Sequence, residues 1–196
     1  MKRALLVLEI LLVLVSVTVL AYVARVWREA RATQVQGRAE IYRAAPGSAP
    51  LRAPAPLAEG TVLGEIAIPR LGVSRVILEG TEPGTLRRAV GHIRGTAMPG
   101  QPGNIALAGH RDTYFRPLRN IRIGDEVILR TAAGAAVYRV HSTQIVRPDN
   151  VEVLNNTQSD TLTLVTCYPF RYIGPAPERF IVRAVKTPAP VSDKTS

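Results

Sequence analysis

The chain has one cysteine, Cys167, in the run T-L-T-L-V-T-C-Y-P-F, Thr161–Phe170. Alternating threonine and apolar residues there read as a buried β-strand. Pro169 cannot donate to a ladder, so the strand stops or reaches an edge beside it. A thiol is thereby delivered to a strand end, where a nucleophile would be wanted. A free cysteine also packs like a small hydrophobe, so position alone leaves open a nucleophile or an inert core thiol. A working thiol needs a proton carrier and a partner for a developing oxyanion. Of three histidines, His110 in A-G-H-R-D-T lies at a strand-to-loop junction, as Cys167 does. His92 in V-G-H-I-R-G-T follows a short helical stretch, and His141 sits inside a long amphipathic strand, as a surface or satisfied residue would. Arg179, in A-P-E-R-F-I-V-R, opens the last strand twelve residues after Cys167. If those two strands pair antiparallel, Arg179 and Cys167 lie side by side at one rim. A guanidinium there can lower a thiol pKa, bind a substrate carbonyl or hold an oxyanion; the alternative is an ordinary surface arginine.

The elements that would position these groups follow from punctuation. Strands are expected at Gly64–Ile68, Ser74–Glu79, Asn104–Ala108, Glu126–Thr131, Ala135–Val146, Thr161–Thr166 and Phe180–Lys186, with a hairpin around Gly134. Thr85–Val90 reads as one or two helical turns with Thr85 as a cap, Phe115–Asn120 as another helical turn, and Pro148–Ser159 as a polar loop. About eight short strands with few helices predict an all-β fold, a closed barrel that leaves no exposed edge.

Ahead of the barrel, Ala4–Ala24 is apolar apart from Glu9, Ser16 and Thr18. That length suffices to cross a bilayer, which needs ~20 residues. An uncleaved anchor over 1–26 is the expectation; a cleaved signal peptide is the alternative, with V-L-A before the large Tyr22 a weak cleavage site. Lys2 and Arg3 favour an inside N-terminus, whereas Arg25, Arg28 and Arg31 oppose it. The inside orientation is expected, with a single pass and the barrel outside the cytoplasmic membrane. Trp27 suits the interface. Arg28–Arg43 either continues the helix or forms a solvated stalk, and Ala44–Glu59 with four prolines reads as a semi-extended linker. The expected organisation is an anchor at 1–26, stalk and linker at 27–59, barrel at 60–187 and a disordered tail at 188–196.

Composition narrows the classes. With 196 residues, 46% hydrophobic and 5% aromatic, one domain with an aliphatic core fits, plus an anchor. One cysteine excludes an intramolecular disulfide and a multi-cysteine metal site. The net charge of +10 overstates the basicity of the folded part, because the ends contribute much of it. Basic residues are scattered without aromatic interleaving, which suits an anionic envelope better than nucleic acid.

A-G-H-R-D-T-Y-F, T-L-V-T-C-Y-P-F and A-P-E-R-F-I-V-R resemble the His, Cys and Arg segments of sortases. G-E-I-A-I-P, E-G-T, A-V-G-H and P-G-Q-P-G-N occur in the same order, so the resemblance runs from about Gly64 to Lys186. The C-Y-P-F and H-R-D-T runs look most like class D. The resemblance implies the sortase β-barrel, Cys167 as nucleophile, His110 as general acid/base and Arg179 as oxyanion or substrate-positioning residue. It implies transpeptidation at an L-P-x-T-type sorting signal near the C-terminus of a surface protein, resolved by an amine of the envelope or of another protein. His92 would line the substrate groove, and Asp112 would orient a loop or His110, or serve as a turn-forming residue. No cofactor or metal is implied. The chain lacks the D-P-W or D-P-F lid sequence of pilin-polymerising types, and Asp149, Glu152 and Asp160 are too sparse for a calcium site. A cysteine hydrolase on the same barrel and a non-catalytic anchored adaptor remain alternatives; an L,D-transpeptidase is disfavoured by the missing H-G-C run.

Overall fold

The computed structural model describes residues 2–43 and 57–188. Most of the expected Pro-rich linker, and the tail from 189 onward, lie outside the described residues. Among the described residues there are eight strands: β1 (Val62–Ile68), β2 (Val73–Glu79), β3 (Val90–His92), β4 (Asn104–Ala108), β5 (Glu126–Thr131), β6 (Gly134–Val146), β7 (Thr161–Tyr168) and β8 (Glu178–Lys186). They close a barrel in the order β1-β2-β3-β4-β7-β8-β6-β5. The β2/β3 and β4/β7 pairs are parallel and the others antiparallel. The core is largely aliphatic; Ile66, Ile77, Leu107, Leu162 and Leu164 share one buried cluster with Phe115 and Tyr138.

Three local departures from the sequence reading have physical causes. β3 was not anticipated, because three residues centred on a glycine carry no readable alternation. Thr85 is not a cap. The short helix α2 (Pro83–Arg88) starts one turn earlier at a proline, behind Glu82, and Thr85 donates instead to Glu59 Oε1 at 2.6 Å. The polar 147–160 connection contains a 3₁₀ turn, Val151–Leu154, started by Asn150, whose side chain accepts from the Glu152 N–H.

Helix α1 (Lys2–Arg43) is continuous. Its Leu5–Leu20 portion is apolar with exposed side chains all round, and it is the one described helix long and apolar enough to cross a membrane. Residues 28–43 continue the same helix and lie on the barrel. Gly37 is buried on the docked face, and a Cβ there would meet Val76 Cγ1 at 2.8 Å. Gln34 accepts from the Val76 N–H at 2.9 Å. Arg38 donates to Glu65 Oε1 at 2.9 Å and to the Ser74 carbonyl at 2.9 Å. Glu65, only 2% exposed on β1, also accepts from Ser74 Oγ and from Tyr42 at 3.3 Å. A buried carboxylate is tolerated when paired and hydrogen-bonded in this way.

Two carboxylates pin the barrel ends. Asp125 accepts from Arg70 and from the Arg122 N–H at 2.8 Å. Asp160 accepts from Lys186 Nζ at 3.0 Å and from the Gly103 N–H at 3.1 Å. Bonds from Arg70 and from Lys186, respectively, hold both carboxyls below the usual carboxylate range.

Candidate active site

The parallel register of β4 and β7 runs from Asn104 opposite Thr161 to Ala108 opposite Val165. It continues past the end of β4: the Gly109 N–H donates to the Val165 carbonyl at 3.1 Å, and Thr166 Oγ1 donates to the Gly109 carbonyl at 2.7 Å. His110 therefore comes level with Cys167. On the other side, antiparallel pairing sets Cys167 directly opposite Arg179. The three residues form a row across neighbouring strand ends, which lie ~4.8 Å apart in a sheet. All three are half-buried, as groups that meet a substrate must be.

The opposite face of the same strands carries packed aromatic rings. Tyr168 and Phe180 alternate with Cys167 and Arg179 along their strands and stack at 6.3 Å. Phe170 meets Phe180 edge-on at 5.3 Å, and Phe170 and Phe180 pack on the barrel core. The Tyr168–Pro169 peptide is cis, and β7 ends there. Arg179 Nη1 donates to the Ala176 and Glu178 carbonyls at 3.2 and 2.9 Å. The described bonds thus use one nitrogen of a fork with five N–H groups. A fixed guanidinium beside a thiol can bind a carbonyl or stabilise an oxyanion, and an imidazole on the other side can carry a proton.

Arg111, next to His110, escaped the sequence reading. Its guanidinium donates to the carbonyls of Pro169 at 2.9 Å, Tyr172 at 2.8 Å and Gly174 at 3.2 Å, and it lies over the Tyr172 ring at 5.6 Å. It clamps the β7–β8 loop to the histidine segment. The only sequence signal was its place in H-R-D-T; which loop it would meet depends on the strand order. Asn104 is a second residue of this kind. It is buried, donates to the Val153 and Asn155 carbonyls and accepts from Thr163. It thereby ties the 147–160 connection over the outer face of β4 and β7.

The remaining candidates lie elsewhere. His92 is 1% exposed: Nδ1 faces Glu79 Oε2 at 2.8 Å and Nε2 faces the Ala97 carbonyl at 3.0 Å. Both ring nitrogens are engaged within the protein, beneath the surface rather than lining a groove. Asp112 is exposed on the loop after His110. His141 is exposed on β6, at a bulge between Val140 and Ser142.

Residues 66–187 match the family model described as the sortase domain. Sortase D of Bacillus subtilis (strain 168) is 36% identical over 124 residues, which is 63% of this chain and 63% of that protein. Sortase A of Listeria monocytogenes is 32% identical over 110 residues, 54% of this chain and 49% of that protein. The chain thus spans from about half to just under two thirds of the length of these curated relatives. Among solved structures, a Clostridium perfringens Sortase D5 transpeptidase is similar with a TM-score of 0.61 at 31% identity, over 67% of this chain and 82% of that one. The expected closed barrel is the fold these proteins share.

Proposed function

The chain belongs to the sortase family, and on that premise we infer that it is a membrane-anchored cysteine transpeptidase acting on surface proteins that carry an L-P-x-T-type sorting signal. The observation that carries this reading is the row His110–Cys167–Arg179 across three adjacent strand ends. The Cys167 thiolate attacks the threonine carbonyl carbon, and the carbonyl electrons move onto oxygen. Arg179 receives that oxyanion. As it collapses, the C–N bond breaks and protonated His110 gives its proton to the leaving amine, leaving a thioester. An acceptor amine of the envelope or of a partner protein then attacks the thioester. Its proton passes to His110, and the Cys167 thiolate departs. The cycle needs an ionised thiol and a protonated imidazole in turn, so its rate is bell-shaped in pH. Arg111 positions the loop between nucleophile and arginine. The apolar part of α1 anchors the chain with its N-terminus inside and its barrel outside the cytoplasmic membrane.

The test is full-length protein incubated with a library of sorting-signal peptides, with and without added triglycine, and followed by mass spectrometry. Expected are an acyl adduct on Cys167 and a peptide–triglycine product. Hydrolysed peptide alone, in the presence of amine, would make it a cysteine hydrolase. Absence of any adduct on Cys167 would make it an adaptor.

A further inference from the structure

Helix α1 meets the short helix α2 just beyond the apolar run. Between them lies a cleft of about 450 Å³ lined by Tyr22, Arg25, Val26, Glu29, Gly84, Arg87 and Arg88. Arg25 is paired with Glu29 at 2.8 Å, which leaves the charges of Arg87 and Arg88 in excess. Their backbone is fixed: Tyr114 Oη donates to the Arg87 carbonyl at 3.1 Å, and Gln34 donates to the Arg88 carbonyl at 2.9 Å. The height of this cleft follows from helix geometry. Twenty residues, Leu5–Ala24, rise ~30 Å, the thickness of the hydrocarbon core. Arg25–Glu29 then covers roughly the next 7 Å, at the headgroup layer, with Tyr22 in the last turn of the span just below it. Trp27, 75% exposed on the same stretch, suits that layer.

We propose that the α1–α2 cleft is a binding site for the phosphodiester of an anionic membrane lipid, gripped by Arg87 and Arg88 from the barrel side. The proposal rests on the reading of Leu5–Ala24 as a membrane span. Guanidinium forks match phosphate oxygens in pairs, and an anionic surface adds to the attraction. The Tyr22 hydroxyl supplies a further donor, while Glu29 is neutralised by Arg25. A lipid held there gives the barrel a second attachment to the bilayer and fixes which face it turns to the membrane.

The experiment uses the full chain reconstituted in phosphatidylcholine vesicles containing phosphatidylglycerol. One photo-crosslinking probe is an apolar diazirine; the other is phosphatidylglycerol carrying the diazirine on its headgroup. Labelled peptides are mapped by mass spectrometry. The apolar probe should mark Leu5–Ala24, and the headgroup probe should mark the peptides around Gly84–Arg88. Each basic group near an anionic surface contributes about fivefold, so Arg87→Gln/Arg88→Gln should cut headgroup labelling of α2 by roughly tenfold or more. Arg87→Lys/Arg88→Lys should recover much of it, which a misfolded α2 would not. If the apolar probe misses Leu5–Ala24, the membrane span falls and the proposal with it. If the span is labelled but both double variants label like wild type, the lipid site alone falls. Loss of labelling to excess inorganic phosphate, but not to chloride of equal ionic strength, would assign the cleft to a free anion and overturn the lipid assignment.

Discussion

Arg179 and Arg111 illustrate two different uses of a guanidinium beside one thiol. Arg179 lies opposite Cys167 and is bonded through Nη1 to its own loop. If its remaining donors take the oxyanion, Arg179→Lys should lower kcat/KM by about 10²–10³, or about 2.7–4 kcal/mol, because an ammonium lacks the planar fork. Thermal melting should hardly move, since the residue sits at a rim; near-normal peptide turnover in the variant would remove Arg179 from the mechanism. Arg111 acts at one remove, through three loop carbonyls. Arg111→Ala should loosen the link between the His110 and Cys167 segments and lower kcat by up to about 10²-fold, the cost of a misplacement near 1 Å. KM and melting should change little, and Arg111→Lys should restore part of kcat; a loss confined to stability would make Arg111 merely structural. The two arginines also differ in how legible they were. Arg179 could be read because it opens the last strand twelve residues after Cys167, where an antiparallel pairing would set the two side by side, and that pairing is present. Arg111 could not, because its partners are backbone carbonyls of a loop with no distinguishing side chains.

At the scale of elements, the site depends on strand ends held in register, and glycine and carboxylate positions hold them. A Cβ on Gly109 would meet Phe115 Cδ2 at 2.7 Å, and that ring is fully buried. Gly109→Ala should therefore push the His110 segment outward. The expected result is a loss of kcat together with destabilisation of about 1–3 kcal/mol from overpacking, measured by peptide turnover and denaturant titration; an unchanged enzyme would mean that the segment yields without disturbing His110. Asp125 joins the turn after β1 to the segment before β5 through Arg70 and Arg122. Its carboxyl is held low chiefly by the Arg70 bond, so the stabilisation is fully present above the unfolded value near ~3.9 and is lost as pH falls through the lower folded value. Stability should decline below about pH 4, and Asp125→Asn should lower it at neutral pH by about 1.5–3 kcal/mol while flattening the acid slope. A slope as steep in the variant as in wild type would assign acid sensitivity to other carboxylates. The strands themselves were largely readable from alternation and turn residues. β3 was not, being three residues long, and neither was the burial of His92, which depends on Glu79 of the adjacent β2 coming within 2.8 Å.

For the whole molecule, the decisive feature is that the helix leaving the apolar run does not let go of the barrel. The sequence left 28–43 as either a continued helix or a solvated stalk, and nothing in it shows what Gln34 and Arg38 meet. Their partners, the Val76 N–H and Glu65, become visible only once β1 and β2 pair. Docking and barrel stability are separable, and the separation can be tested. In Arg38→Ala, Glu65 would remain buried with only the longer contact to Arg130 at 4.0 Å as long as α1 stays docked, a penalty of up to about 3 kcal/mol for the broken buried pair. Detachment of the helix relieves that penalty by returning Glu65 to water, so the cost falls on docking and not on the barrel. Gly37→Leu should act the same way by sterics, since even a Cβ meets Val76. In vesicles holding the full chain, trypsin should then cut after Arg31 or Arg43 at least tenfold faster in either variant than in wild type, while the barrel melts within a few degrees of its usual temperature. Adding Glu65→Gln to Arg38→Ala should slow the cleavage again, because removing both charges leaves no unpaired ion under the helix. Cleavage of Arg38→Ala at the wild-type rate would show that the Arg38–Glu65 pair does not hold the helix. A joint collapse of barrel melting would show that helix and barrel form one cooperative unit, with the distance between membrane and active site then set by folding itself.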